Sequence, residues 1–252
     1  MVQSVTRTLE LLEVMKQPQK SFSLAQLSEA VNLPPSTTHR ILQTLCEKNY
    51  VVRDERAHLY SLGPALISLG AAATHNLDLK SIATPVLQRL SGQTREDSFL
   101  IILSGYRGIV LSHEDGPRNL KIVEKLGHEV ELHCGAIRKA LLAYQDGAFL
   151  QNYLRHCQDT FCSHPITDSS ALLAELKEIR QNGVALTCSD YIQDAVGIGA
   201  PVFDAQGRVR SSLGIVLPAA RANAQTQDLL KQMVKQCAAE LSTCLGYTPA
   251  GL

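Results

Sequence analysis

Two short stretches hold most of the side chains whose type and spacing suit chemistry. The first is Ser36-Thr37-Thr38-His39-Arg40, with Gln43 and Thr44 one helical turn further on. Hydroxyls, an imidazole, a guanidinium and an amide at the start of one helix pair well with phosphate oxygens and base edges, and Arg40 is best suited to guanine or phosphate. The second is His133-Cys134, with Gly135 and Arg138 just beyond. A thiol beside an imidazole suggests covalent catalysis. Sequence neighbours rarely form a nucleophile and base pair, however, and no third orienting residue is evident. A cluster of His156, Cys157, Cys162 and His164 lacks the C-x2-C spacing of the common zinc modules, so neither a metal nor another cofactor is expected.

The elements around the first stretch define its role. Apolar residues Val5, Leu9, Leu12 and Met15 recur at helical spacing after Ser4, which predicts a helix from Ser4 to about Lys16. Ser23 with Gln26 three residues on is a capping box opening a second short helix. Pro34 and Pro35 suit only the first turn of a third, whose apolar face runs through Ile41, Leu42 and Leu45. Two strand-like runs, 50–53 and 58–61, flank a charged turn and predict a β-hairpin. Together these make residues 1–63 a winged helix-turn-helix. The third helix then faces the major groove, with Arg53, Arg56 and His58 on the wing and Arg7 of helix one reaching the phosphate backbone. Seven Lys and Arg against six Asp and Glu in this segment predict weak binding by one copy and a need for two or four.

Residues 64–77 read as a linker helix of small residues, centred on 65–75. From Asp78 to Leu252 the pattern changes to helices at 78–90, 136–144, 148–155, 170–181 and 226–245. Strands are expected at 98–104, 108–113, 120–124, 184–187, 197–203 and 209–217. This is an α+β domain built on one mostly antiparallel sheet. Its last helix is expected to bury Leu229, Leu230, Met233, Val234, Cys237, Leu241 and Leu245, with Cys244 also in the core.

The composition is that of a folded chain: 252 residues, 45% hydrophobic and 19% charged, with zero formal net charge. A neutral chain does not coat nucleic acid indiscriminately. Seven cysteines without a framework suit reduced thiols. The start, MVQSVTRTLELLEVMK, is amphipathic, unlike an export signal, and no apolar run approaches membrane-spanning length, so a cytoplasmic location is expected.

Ser23-Leu24-Ala25-Gln26-Leu27-Ser28, the run 33–42 and Tyr60-Ser61-Leu62-Gly63 resemble the winged helix of the IclR family of bacterial transcription regulators. The resemblance continues through Leu132-His133-Cys134-Gly135-Ala136, Lys139-Ala140-Leu141-Leu142-Ala143 and Ala200-Pro201-Val202-Phe203-Asp204 into the final helix. It implies a GAF/PAS-like effector-binding domain, a homodimer or tetramer on double-stranded operator DNA, and a small organic acid as effector. It also implies a pocket on the sheet, lined by the His-Cys turn and the strands around Thr187, Gly197 and Gly214.

This chain departs from the family pattern in that pocket. Gly197 stands where relatives usually carry a second Cys, and Gly214 and Val216 where they often place Ser. Gly135 and Arg138 replace the usual hydroxyl and glycine of the turn. The glycines are expected to leave room for a ligand larger than a two-carbon acid, with Arg138 as its carboxylate partner. Ser98, His133, Cys134, Thr187, Ser189, Asp190 and Asp194 are the remaining polar candidates, a mixture that suits a sugar acid better than an aromatic one. The reading is a repressor of a catabolic operon. The alternatives are a small-molecule enzyme, or a redox or metal sensor, using the helix-turn-helix for assembly.

Overall fold

A computed structural model describes residues 2–16, 21–75, 79–119, 125–159 and 168–248, and the chain divides into two compact units, Met1–Asp78 and Leu79–Leu252. The expected strand at 120–124, with Cys162 and His164, lies outside the described residues.

In the first unit α1 (Gln3–Val14), α2 (Leu24–Ala30) and α3 (Pro35–Glu47) pack around Leu11, Leu27, Leu42 and Leu45. The capping box is present: Gln26 N–H donates to Ser23 Oγ at 3.3 Å, and Ser23 N–H to Gln26 Oε1 at 2.8 Å. It fixes where α2 begins by satisfying two amides that the helix cannot bond itself. The wing is β2 (Val51–Asp54) against β3 (Leu59–Leu62), with the two-residue strand β1 (Phe22–Ser23) added on the far side of β3. Asp54 closes its turn, accepting from the Arg56 and Ala57 amides, bonds that hold its carboxyl below the usual range. Helix α4 (Ala65–His75) completes the unit. Val5 and Leu9, expected on the apolar face of α1, are exposed within this unit.

The second unit is one antiparallel sheet of six strands in the order β6-β5-β4-β9-β8-β7. These are β4 (Asp97–Ser104), β5 (Arg107–Glu114), β6 (Glu129–Glu131), β7 (Ala185–Cys188), β8 (Ala195–Phe203) and β9 (Val209–Pro218). Helices α5 (Leu79–Thr94) and α9 (Ala224–Cys244) cover one face, on a core that includes Leu87, Leu100, Ile198, Ile215 and Val234. The other face carries α6 (Ala136–Leu142), α7 (Gly147–Asp159) and α8 (Ser169–Asn182), over Phe99, Ile101, Leu141, Tyr153 and Leu176. Each such fully buried apolar side chain is worth about 1.5–3 kcal/mol over its exposed state. Asp168 caps the start of α8, and Gly183, in the left-handed region at φ 68°, ends it.

Two expectations for α9 fail. Leu229 is exposed, because the buried stripe runs through Leu230, Val234, Cys237 and Leu241, with spacings of four, three and four. Cys244 is exposed for the same reason, whereas Cys237 is buried.

One seam positions the pocket. Gly199 on β8 faces Gly214 on β9, and α6 lies directly over the pair. A Cβ on Gly199 would stand 2.4 Å from Ile137 Cα, and one on Gly214 would stand 2.0 Å from the Ile198 carbonyl oxygen. Ser212 Oγ, buried in the same seam, donates to the Ile137 carbonyl at 2.7 Å. Gly214 is therefore a packing contact that does not open the pocket, which corrects the expectation that it leaves room for ligand.

Candidate functional site

In the first unit, α3 sorts its polar residues by helical phase. Ser36, His39, Arg40, Gln43 and Thr44 are exposed, and Thr37 is half-buried. Thr38 is fully buried beside Leu42 and Leu45, with its hydroxyl donating to the Pro34 carbonyl at 3.2 Å. Thr38 is thus a core residue, which corrects its expected place facing DNA. Thr44 Oγ bonds back to the Arg40 carbonyl at 3.1 Å. Arg7 and Thr8 of α1 line one open groove together with Thr37, Arg40 and Thr44 of α3, so two guanidinium groups serve one concave surface.

The wing is more constrained than its charges suggest. Arg53 lies with its guanidinium 5.8 Å from the Tyr60 ring centre, 3.1 Å from His58 Nδ1 and 3.7 Å from Glu55 Oε2. Arg53 and His58 therefore brace the hairpin against each other, while Arg56 at the turn is exposed.

In the second unit, a narrow pocket opens between α6, the ends of β7 and β8, and the loop 189–194. Gly135, Arg138, Thr187, Asp190, Tyr191 and Gly197 line it. It is open to solvent on one side, and its enclosed volume is small, about 30 Å³. Gly197 does face this space, but a Cβ there would meet Thr187 Oγ1 at 3.1 Å and Ala136 Cβ at 3.3 Å. The glycines do not make a roomy site, because α6 is pressed onto them.

Arg138 is buried, with its guanidinium 4.0 Å from the Tyr191 ring centre and Nη1 donating to the Cys134 carbonyl at 3.2 Å. Thr187 Oγ1 accepts from the Ala136 N–H at 3.1 Å. Asp190 Oδ2 accepts from the Gly135 N–H at 2.7 Å and lies 3.0 Å from Lys139 Nζ. Lys139 is itself buried and bonds both oxygens of Glu175 at 2.9 Å. Burial opposes its charge, yet Glu175 and Asp190 outweigh that and raise its pKa above the ordinary lysine value. Lys139 and Tyr191 were not singled out among the sequence candidates. Standing next to Arg138 and Asp190 in the chain marks neither of them; their roles come from contacts with Glu175, Asp190 and Arg138 that only the fold creates.

The structure does not bring the other candidates into the pocket. Ser98 sits on the opposite face of the sheet, fully buried, donating to the Leu87 carbonyl at 3.0 Å and 2.9 Å from Ser91 Oγ. Strand alternation sends Ser98, Leu100 and Ile102 toward α5, so Ser98 is removed from the pocket set. Ser189 and Asp194, both with positive φ, close the loop on each other: Asp194 N–H donates to Ser189 Oγ at 3.1 Å. His133 and Cys134 are buried outside the pocket lining. His133 Nδ1 lies 2.6 Å from the Tyr153 hydroxyl. Burial, reinforced by Glu131, pushes the Cys134 thiol up to about 12, so it stays protonated at neutral pH. Ligand atoms of Glu131, His133 and Cys134 lie within 4.8 Å of one another, but Arg107 already pairs with Glu131 at 3.6 Å.

Against this geometry, the profile "IclR helix-turn-helix domain" matches residues 4–55, and "Bacterial transcriptional regulator IclR C-terminal" matches residues 71–243. The chain belongs to the IclR family. As an IclR regulator it carries a helix-turn-helix domain for DNA and a domain for a small-molecule effector. It is 26% identical over 246 residues to HTH-type transcriptional regulator KipR of Bacillus subtilis, covering 97% of this chain and 98% of KipR. HTH-type transcriptional repressor AllR of Salmonella typhimurium is 25% identical over 252 residues, covering 98% and 91%. The crystal structure of an IclR transcriptional regulator from Alicyclobacillus acidocaldarius superposes with TM-score 0.81 at 24% identity, over 96% of this chain and 98% of the other. Among the described residues of this IclR regulator, no helix is long and apolar enough to cross a membrane.

Proposed function

We propose that this IclR regulator is a cytoplasmic repressor of a catabolic operon, bound to a palindromic operator as a homodimer or tetramer and released by a small hydroxylated carboxylic acid, a sugar acid in preference to an aromatic one. Residues 1–63 grip DNA, 64–77 link, and 78–252 sense. The observation that carries the DNA half is the sorting of α3, which exposes Ser36, His39, Arg40, Gln43 and Thr44 while burying Thr38, Leu42 and Leu45. The repressor sense follows AllR.

The acid reading rests on two buried cations, Arg138 and Lys139, beside a pocket that also offers the Thr187 hydroxyl to a ligand. A charge-assisted hydrogen bond contributes about 1.5–3 kcal/mol. Arg138→Ala should therefore shift the dose of acid needed for operator release by about tenfold or more, each protein being compared with its own ligand-free affinity. An electrophoretic shift on the DNA upstream of its own gene, titrated with a panel of organic and sugar acids, makes the measurement. A protein that binds no such DNA defeats the regulator reading, and an Arg138→Ala curve that overlays the parent's defeats the pocket.

A further inference from the structure

We propose that Asp190 is an internal stand-in for the effector's carboxylate: it occupies the seat made by the Gly135 N–H and Lys139 Nζ, and an acid that binds must displace it. The inference rests on the reading that the effector is a carboxylic acid bound in this pocket. Three observations carry it. The seat is built for a carboxylate and holds one, at 2.7 Å from the amide nitrogen and 3.0 Å from the ammonium. Lys139 is buried and is paired on its other side to Glu175, so its charge is fixed in place whether or not Asp190 is there. The Asp190 carboxylate already fills the position between the Gly135 amide and the Lys139 ammonium, so a second carboxylate cannot take that position while Asp190 is seated.

Displacement also has a mechanical consequence. Asp190 is the second residue of the loop that Ser189 and Asp194 close, and Tyr191 beside it stacks on Arg138. An acid that takes the seat pushes the carboxylate outward and carries the Tyr191 ring off the guanidinium, so Arg138 is presented to the ligand in the same movement. The protein's own carboxylate competes with the ligand, and apparent affinity falls by the fraction of time the seat is occupied.

The test is chemical rescue in the full-length chain. Asp190→Ala leaves the amide and the ammonium without their carboxylate, so its thermal midpoint should fall below the parent's. Sodium acetate, compared with sodium chloride at equal ionic strength, should restore it. At ten times its dissociation constant, acetate is expected to raise the variant's midpoint by roughly 3–6 °C and the parent's by about 1 °C or less. No acetate-specific rise in the variant, or an equal rise in the parent, overturns the proposal.

Asp190→Asn keeps the shape without the charge and covers the case in which the alanine variant does not fold. It should respond to acids at concentrations about tenfold lower than the parent in operator release, and equal concentrations would count against the stand-in. If acetate rescues Asp190→Ala while no acid affects operator binding, the seat stands and the effector reading falls. If acids release the parent but both variants behave like it, the stand-in falls and the effector reading holds.

Discussion

Arg40→Ala is expected to remove specific operator binding while leaving the protein folded. Arg40 is exposed on the face of α3 opposite Thr38, Leu42 and Leu45, and shares a groove with Arg7. Its side chain is free to meet a base edge or a phosphate, and alanine at that position favours the helix. The loss should be about 1–3 kcal/mol per half-site, and a dimer loses it twice. Anisotropy titrations of the operator and a scrambled duplex at fixed salt separate the two roles. If Arg40 reads a base, the variant binds the operator more weakly and the scrambled duplex as before. If it holds a phosphate, both duplexes bind more weakly and the salt slope falls by about one. Equal affinity of variant and parent for the operator would mean that α3 does not read DNA through this face.

The other large effect is structural. Gly214→Ser should cripple the second unit, because the new Cβ would lie 2.0 Å from the Ile198 carbonyl oxygen and 2.8 Å from Gly199 Cα. Neither atom belongs to a flexible side chain; both are backbone of the paired strand, and Ile137 closes the site from above at 2.7 Å. Relief requires breaking β8–β9 pairing or lifting α6 off the sheet. Overpacking of this severity costs at least about 3 kcal/mol, which in a domain of this size lowers the melting midpoint by roughly 6–12 °C. Gly197→Cys is the control, since its neighbours begin at 3.1 Å and are side-chain atoms and the edge of α6. Melting followed by far-ultraviolet circular dichroism distinguishes them. Parent-like melting of Gly214→Ser would show that α6 does not rest on these glycines.

These cases mark where the sequence was legible. The helix-turn-helix could be read because α2 and α3 carry local signals: the capping box at Ser23, the prolines at 34 and 35, the apolar spacing of Leu42 and Leu45. That same spacing includes Thr38, four residues before Leu42 and seven before Leu45, so its burial was readable too, had hydroxyls at a helix start not suggested DNA first. Ser98 was harder. Strand β4 is covered on both faces, its first five residues are all buried, and the alternation that assigns a residue to a face is lost. The Gly199–Gly214 seam depends on register between strands and on the height of a helix above them, which no single segment encodes. Strand β6 is three residues with two glutamates, too short and too charged to show a strand pattern. Arg138 and Asp190 stood out as charges, but the lysine and tyrosine that tie them together emerged only from the fold.

The pinned seam also bears on how such a sensor can be retargeted. With α6 fastened by Gly199, Gly214 and the Ser212 hydroxyl, the seam beneath the pocket has almost no latitude for substitution. The hexapeptide Ser189–Asp194 has a great deal, being largely exposed and bounded by two residues in left-handed conformation, at φ 50° and 57°. New chemical tastes should therefore be acquired by transplanting that hexapeptide whole, between fixed ends, while the helix and strands beneath it serve as an unaltered chassis.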